Sequence, residues 1–152
     1  MEAGASVTYR IREVDASDDE VADIIRAFNR ETGDFPDLTD GELDGFHCYW
    51  WLAYLGKEPV GFAGMVPSQR YKNAGYLKRA GVAPGHRGNG LQLRFFKVRE
   101  RKARSIGWEF LVSETTDTVY SANNFIRAGY RLFEPECRWA FNNSLYWKKQ
   151  LI

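Results

Sequence analysis

Val82-Ala83-Pro84-Gly85-His86-Arg87-Gly88-Asn89-Gly90-Leu91-Gln92 runs from the apolar end of a strand, through a glycine-rich turn, into the start of an amphipathic basic helix. Backbone N–H groups at a helix start lack partners and carry partial positive charge, so they attract phosphate. Glycines allow positive φ and let a ligand approach the backbone closely. The stretch therefore reads as an anion cradle. Two familiar phosphate loops do not fit it. Gly85 and Gly90 have the separation of a Walker A loop, but Leu91 and Gln92 stand where Lys and Ser or Thr are required. Gly88-Asn89-Gly90 opens a dinucleotide fingerprint, but Leu93 replaces its third glycine. The acidic residue that such a fingerprint needs at the end of a second parallel strand is also missing.

The surrounding chain supplies the context. Val7, Tyr9 and Ile11 alternate with polar residues as a first strand. Ser17-Asp18-Asp19-Glu20 reads as a capping box ahead of Val21, Ile24, Ile25 and Phe28 at helical spacing, with the helix ending near Gly33. Residues 31–46 are a loop or a short second helix. Cys48 to Leu55 is a buried strand, Gly56-Lys57-Glu58-Pro59 a hairpin turn, and Val60 to Val66 the partner strand, weakened in its packing by Gly61 and Gly64. Ala74 to Val82 is a fourth strand that ends at the cradle. Leu91, Phe95 and Val98 mark the buried face of the next helix, and Arg94, Lys97, Arg99, Arg101, Lys102 and Arg104 its basic remainder, up to Ile106-Gly107. Trp108 to Ser113 is a fifth strand, and Ser121 to Ala128 a short helix closed by Gly129. Tyr130 to Phe133 begins a sixth strand, with Arg138 to Phe141 as its candidate continuation, and Leu145 to Leu151 is a seventh. This order implies an α/β (α+β) chain with a mixed sheet and helices on both faces.

At 152 residues the chain is expected to form one domain over residues 1–152. Its net charge of +1 disfavours a general nucleic-acid binder. No apolar run approaches the roughly 18 residues of a membrane span, and the N-terminal stretch lacks a signal-peptide pattern. Cys48 and Cys137 are too few for a disulfide scaffold and lack metal-ligand spacing. A cytoplasmic protein with neither a metal nor a membrane partner is the expectation. Asn142-Asn143-Ser144 matches a glycosylation acceptor, which means little without a secretory signal.

Arg87-Gly88-Asn89-Gly90-Leu91-Gln92 resembles the Arg-x-x-Gly-x-Gly/Ala pyrophosphate loop of the GCN5-related N-acetyltransferases, the GNAT superfamily, with Gln92 in place of the last small residue. The element order resembles the GNAT fold along nearly the whole chain. Ser121 to Tyr130 resembles the family's later motif, a helix ending in Gly-Phe or Gly-Tyr before the sixth strand. The resemblance implies a mixed, mostly antiparallel central sheet of about seven strands flanked by about four helices.

It also implies the chemistry: transfer of an acyl group, usually acetyl, from acetyl-CoA to a primary amine of a small molecule or protein by direct attack. Such catalysis is mostly positioning and electrostatics. By resemblance, the pyrophosphate sits on the N–H groups of Arg87, Gly88, Asn89, Gly90, Leu91 and Gln92, and the pantetheine arm runs along the backbone at Val82 and Ala83. A backbone N–H of Val82 or its neighbour is the candidate oxyanion donor. Glu114 is the candidate general base, its alternative being a solvated residue at a strand end. Phe125 stands where many family members carry a tyrosine proton donor, four residues before Gly129. Phe125 is then a candidate contact of the pantetheine arm. Tyr120, Tyr130 or water is left to protonate the thiolate. Asn123 and Asn124 either bond the cofactor or shape the helix start. His86 reads as loop packing, and Trp50, Trp51 and Tyr54 as core. The acidic residues from Asp34 to Asp44 either draw in a cationic substrate or form a solvated loop. The basic helix face is solvated or partly neutralises the cofactor's 3′-phosphate.

Two other readings remain open at this stage. A non-catalytic acyl-CoA sensor would keep the cradle and explain Phe125. Acetylation of a nucleic-acid-linked amine would use the face from Arg94 to Arg104, against the near-neutral net charge. A sixth–seventh strand pairing shared between subunits would make a homodimer.

Overall fold

Short apolar segments, some alternating with polar residues and some at helical spacing, run along this chain between turn signals. A computed structural model, which describes residues 8–32, 36–45 and 47–152, turns them into strands and helices. They are β1 (Tyr9–Val14), α1 (Asp19–Thr32), α2 (Asp40–Asp44), β2 (Tyr49–Leu55), β3 (Glu58–Pro67), β4 (Ala74–Val82), α3 (Leu91–Ile106), β5 (Phe110–Thr115), α4 (Val119–Arg127), β6 (Arg131–Leu132) and β7 (Leu145–Gln150). Val7, Gly33 and Asp34 lie outside the described residues. The strands form one sheet in the order β1-β2-β3-β4-β5-β7-β6. Every pairing is antiparallel except β4 with β5. No helix among the described residues is long and apolar enough to cross a membrane.

Each face of the sheet carries its own core. Adjacent residues of a strand point to opposite faces, so Trp50 and Trp51 divide between the two. Trp51, Met65, Leu77 and Leu111 pack with Phe95 and Phe96 of α3 and Phe125 of α4. Trp50, Leu52 and Phe62 pack with Ile25 and Phe28 of α1 and Leu43 of α2. The Trp50 indole also donates to the Leu43 carbonyl at 2.9 Å, which fixes the short α2 to the sheet.

Several local expectations are corrected. Ser17 does not cap α1. Its N–H and hydroxyl both turn back to Asp15 Oδ1, and the backbone N–H groups of Glu20 and Val21 go to Asp18 Oδ1 instead. Asp is as good a cap as Ser, and the aspartate one residue later has the better reach. The capping box belongs to α2, where Thr39 and Glu42 bond reciprocally. The β2–β3 turn is only Gly56-Lys57, because Leu55 already pairs with Glu58. Gly64 does not weaken β3. A Cβ there would lie 2.6 Å from the Trp50 ring, so the missing side chain is the space that the indole fills. Arg138 to Phe141 do not extend β6, which is two residues long. Arg138 instead bonds Glu134 and the carbonyls of Asn142 and Ser144, which shapes an irregular loop between β6 and β7. Arg99 leaves the basic face of α3 and is 2% exposed beneath the sheet.

One feature of the sheet creates the site. β4 and β5 pair only over Ala74–Tyr76 and Phe110–Val112, and then diverge. Where the ladder ends, the Ser113 hydroxyl donates to the Leu77 carbonyl at 2.9 Å. Just beyond, the β3–β4 register slips so that Gly64 pairs with Lys78 and Ala63 with Ala80. This bulge adds Arg79 to β4 and increases its local twist. Buried Arg99 fastens the bulge, donating to the carbonyls of Gly64 and Lys78 at 3.3 and 3.4 Å.

Candidate active site

The cradle closes one end of the gap between β4 and β5. Pro84 to His86 form a single 3₁₀ turn, and Gly88 and Gly90 take φ values of +82° and +76°. Gly90 is the N-cap of α3 and offers no side chain to the first turn of the helix. A Cβ on Gly88 or Gly90 would meet nothing within 4 Å, so the loop lies open above its glycines. Uncapped helix donors under open space fit a phosphate group. The loop is held from below. Asn89 Nδ2 donates to Tyr9 Oη at 3.2 Å and to the carbonyls of His86 and Arg87. Tyr9 Oη also lies 3.1 Å from His86 Nδ1, and Arg87 Nε donates to the Val82 carbonyl at 3.1 Å. The side chains of Arg87, Asn89 and His86 thus shape the loop, and Ala83 continues the strand end by donating its N–H to Val60.

A cleft of about 440 Å³ follows the divergence of the two strands and meets the loop motif at Gln92. Gln92, Phe96 and Arg99 line it from α3, and Ser121, Asn124 and Phe125 from α4. Gln92 turns into the cleft as the last residue of the loop motif, where it offers an amide rather than open space. Leu91 is buried in the core. Phe125 is 9% exposed and packs edge-on to Phe96 at 4.9 Å and stacked on Trp147 at 5.6 Å, so it forms an aromatic floor. Asn124 lines the cleft, whereas Asn123 faces solvent. Tyr120 is 52% exposed and is not among the residues lining the cleft. Tyr130 is in the core, where its hydroxyl donates to the buried Glu100, itself held by Lys149 at 2.8 Å. Burial raises the Tyr130 phenol well above its ordinary range, and Glu100 adds to this.

Glu114 is on β5, opposite the diverging part of β4, and lines the cleft. It is no loose residue at a strand end. The Tyr76 hydroxyl is 2.7 Å from both of its carboxylate oxygens, and the Trp139 indole donates to Oε1 at 3.0 Å. Burial raises the pKa of Tyr76, and the negative charge of Glu114 adds to it, so the phenol stays a neutral donor. Trp139 belongs to an aromatic group with Tyr71, Phe133 and Tyr146, and Arg70 lies 4.9 Å from its ring centroid.

Asp37, Asp40 and Glu42 of the acidic segment before β2 are engaged in ion pairs. Asp40 pairs with Arg26 and Asp37 with Arg30, while Glu42 faces Lys78 at 3.6 Å and Arg79 at 3.8 Å. Burial opposes the charge of Glu42, yet the Thr39 N–H and the two cations hold its pKa below the usual carboxylate value. Sequence reasoning passed over Tyr76, Trp139, Lys78 and Arg79. Tyr76 could have been found by parity, since it shares a β4 face with Lys78 and lies beside the β5 residues preceding Glu114. Trp139 comes from an irregular loop and leaves no periodic signal.

Comparisons with known proteins agree with this architecture. A sequence model of the acetyltransferase (GNAT) family matches residues 11–130. The chain therefore belongs to the GNAT acetyltransferase family. Among solved structures it is similar to a candidate acyl-CoA N-acyltransferase from Klebsiella pneumoniae, with 25% identity over 95% of this chain and 98% of that one, at a TM-score of 0.71. The fold is also shared with the ribosomal-protein-S18-alanine N-acetyltransferase of Escherichia coli, with 10% identity over 95% and 94% of the two chains and a TM-score of 0.74. A candidate acetyltransferase of Salmonella typhimurium, solved with its cofactor acetyl-CoA, has 15% identity over 95% and 94% of the chains and a TM-score of 0.70. No curated protein matches the chain in sequence.

Proposed function

We propose that the protein transfers acetyl from acetyl-CoA to a primary amine by direct attack. The observation that carries this is one cleft lined both by Gln92, in the first turn of the uncapped helix α3, and by an oriented carboxylate, Glu114. Acetyl-CoA would be held at Arg87 to Gln92 and along β4 toward Val82, and when bound it supplies the acyl group as a thioester. Backbone donors of the loop bind the pyrophosphate, and Gln92 and Asn124 are side-chain donors on the cleft wall. Phe96 and Phe125 give the narrow part of the cleft an apolar surface that excludes water.

An amine near neutral pH arrives mostly protonated. Glu114, held by Tyr76 and Trp139, receives an ammonium proton directly or through a water, leaving the nitrogen lone pair free to attack. A backbone N–H of diverging β4, between its bulge and Val82, is the oxyanion donor, with a typical value of about 3 kcal/mol for one such group. The N–C bond forms as the C–S bond breaks. The departing sulfur is a good leaving group as thiolate, so water suffices as its proton source where Phe125 offers none.

The test is a thermal-shift titration with acetyl-CoA, longer acyl-CoAs and free CoA, followed by CoA release with a panel of amines. A ligand that binds the native state must stabilise it, so no shift with any of the three sinks the reading. A second reading, an acyl-CoA sensor, is favoured by Phe125 and is separated by the same experiment: binding without turnover on any amine selects it.

A further inference from the structure

The bulge in β4 puts two cations side by side. In a regular strand Lys78 and Arg79 would point to opposite faces. Here the register slip turns both toward α1 and α2, where they share the single carboxylate of Glu42 at 3.6 and 3.8 Å. Arg79 is further committed to the fold, because its Nη1 donates to Asn29 Oδ1 at 3.0 Å and to the Pro36 carbonyl at 2.7 Å. Lys78 has the lighter engagement. Its ammonium contacts Glu42 beyond hydrogen-bond length, and its side chain is 15% exposed. Of the two cations on this wall, Lys78 is therefore the one held more loosely. Both residues line the same cleft as Glu114.

The geometry relates this charge to the candidate base. Tyr76, which holds Glu114, is two residues before Lys78 on the same strand face, a separation of about 7 Å. A carboxylate, Glu114, and two cations, Lys78 and Arg79, therefore line one partly desolvated cleft, where charge discrimination is stronger than in water. A simple amine would leave those positive groups without a partner from the substrate. A polyamine would bring further positive charge against them.

We infer that the acceptor is a small zwitterion of amino-acid type, with its ammonium on Glu114 and its carboxylate on Lys78. Lys78 and Glu114 line the same cleft, and a charge-assisted contact to each would hold the two ends of such a molecule. Glu42 then exchanges part of its interaction with Lys78 for Arg79 and its own capping bond to Thr39. This inference rests on the acetyltransferase reading given above and names the substrate class of the same cleft.

The experiment is steady-state CoA release from acetyl-CoA with matched pairs, an amino acid and its decarboxylated amine, together with spermidine. The native protein is expected to favour the amino acid by about tenfold or more in kcat/KM, the range of a hydrogen bond between charged groups. Lys78→Gln should cut that preference to within about threefold, and Lys78→Glu should reverse it in favour of spermidine. Both variants should keep the thermal shift with acetyl-CoA, which shows that fold and cradle are intact. A native preference for the decarboxylated amine or for spermidine overturns the inference, as does a preference unchanged by Lys78→Gln. In those cases acetyl-CoA still binds and turns over, so the acetyltransferase reading survives. Absence of any acetyl-CoA shift in the native protein removes that reading and this inference together.

Discussion

The Tyr76 hydroxyl lies 2.7 Å from both carboxylate oxygens of Glu114, a bond between the two strands that have just separated. It fixes the carboxylate where β4 and β5 open, and the Trp139 indole fixes it from the other side. Neither donor carries a full charge, so the two orient the carboxylate without forming an ion pair with it.

Glu114→Gln removes that charge while retaining the shape and the acceptor oxygen for one donor. We expect kcat to fall about 10²- to 10³-fold, the ordinary worth of a positioned base, with the acetyl-CoA thermal shift unchanged. Tyr76→Phe should lose less, about tenfold, since Trp139 still orients the carboxylate. Full activity of Glu114→Gln in a CoA-release assay would remove Glu114 from the mechanism.

Gly88 and Gly90 carry φ values of +82° and +76°, and an added Cβ at either would project into open space. Alanine at each position should cost about 1–2 kcal/mol of stability from backbone strain alone. If the open space is the phosphate site, acetyl-CoA affinity should fall as well, by about tenfold or more, because the methyl occupies the ground above the helix donors. Chemical denaturation gives the first quantity and calorimetric titration the second. Lost stability with unchanged affinity would place the phosphate elsewhere.

Asn89 and Tyr9 meet through Nδ2 and Oη at 3.2 Å across a sequence separation of 80 residues. Asn89→Ala frees the carbonyls of His86 and Arg87 and loosens the loop, with an expected cost of about 1 kcal/mol. A double-mutant cycle with Tyr9→Phe should give a coupling of about 0.5 kcal/mol or more. Strict additivity would mean that the bond does not order the cradle.

The phenols of Tyr76 and Tyr130 have raised pKa values, in both cases first through burial and then through a neighbouring glutamate. A raised phenol pKa means that the folded state holds its proton longer than the unfolded chain does. The resulting stability is complete below pH about 10 and declines as pH rises above it, once unfolded tyrosines ionise. Absorbance titration at alkaline pH should show these two of the eight tyrosines ionising late or only on unfolding. Tyr76→Phe should delete one late step. Simultaneous ionisation of all eight near the ordinary value would contradict their burial.

The order of elements was legible because most segments carry an apolar run or a helical or alternating apolar pattern, with the cradle glycines as the strongest mark of a turn. Side-chain competition between neighbours was less legible. Asp18 and Ser17 are both capable caps, and only three-dimensional reach decides for Asp18. Arg99 belongs to a run of cations whose apparent role is solvation. Yet it stands one helical turn after Phe95, on the buried side, and finds backbone carbonyls exposed by a bulge. The bulge itself is a matter of register between two strands and has no signature in β4 alone. Glu114 could be singled out as a carboxylate at a strand end, but its two donors come from the preceding strand and from a loop beyond β6. A linear reading does not bring those three together.

The cradle hangs on the first strand. Tyr9 of β1 receives the Asn89 amide and touches His86, and β1 is the outermost strand on its side of the sheet. An edge strand of this kind opens more readily than the middle of the sheet. Whatever stiffens the loop therefore also clamps β1, and slow amide exchange in Tyr9–Val14 becomes a distant gauge of whether the cradle is occupied.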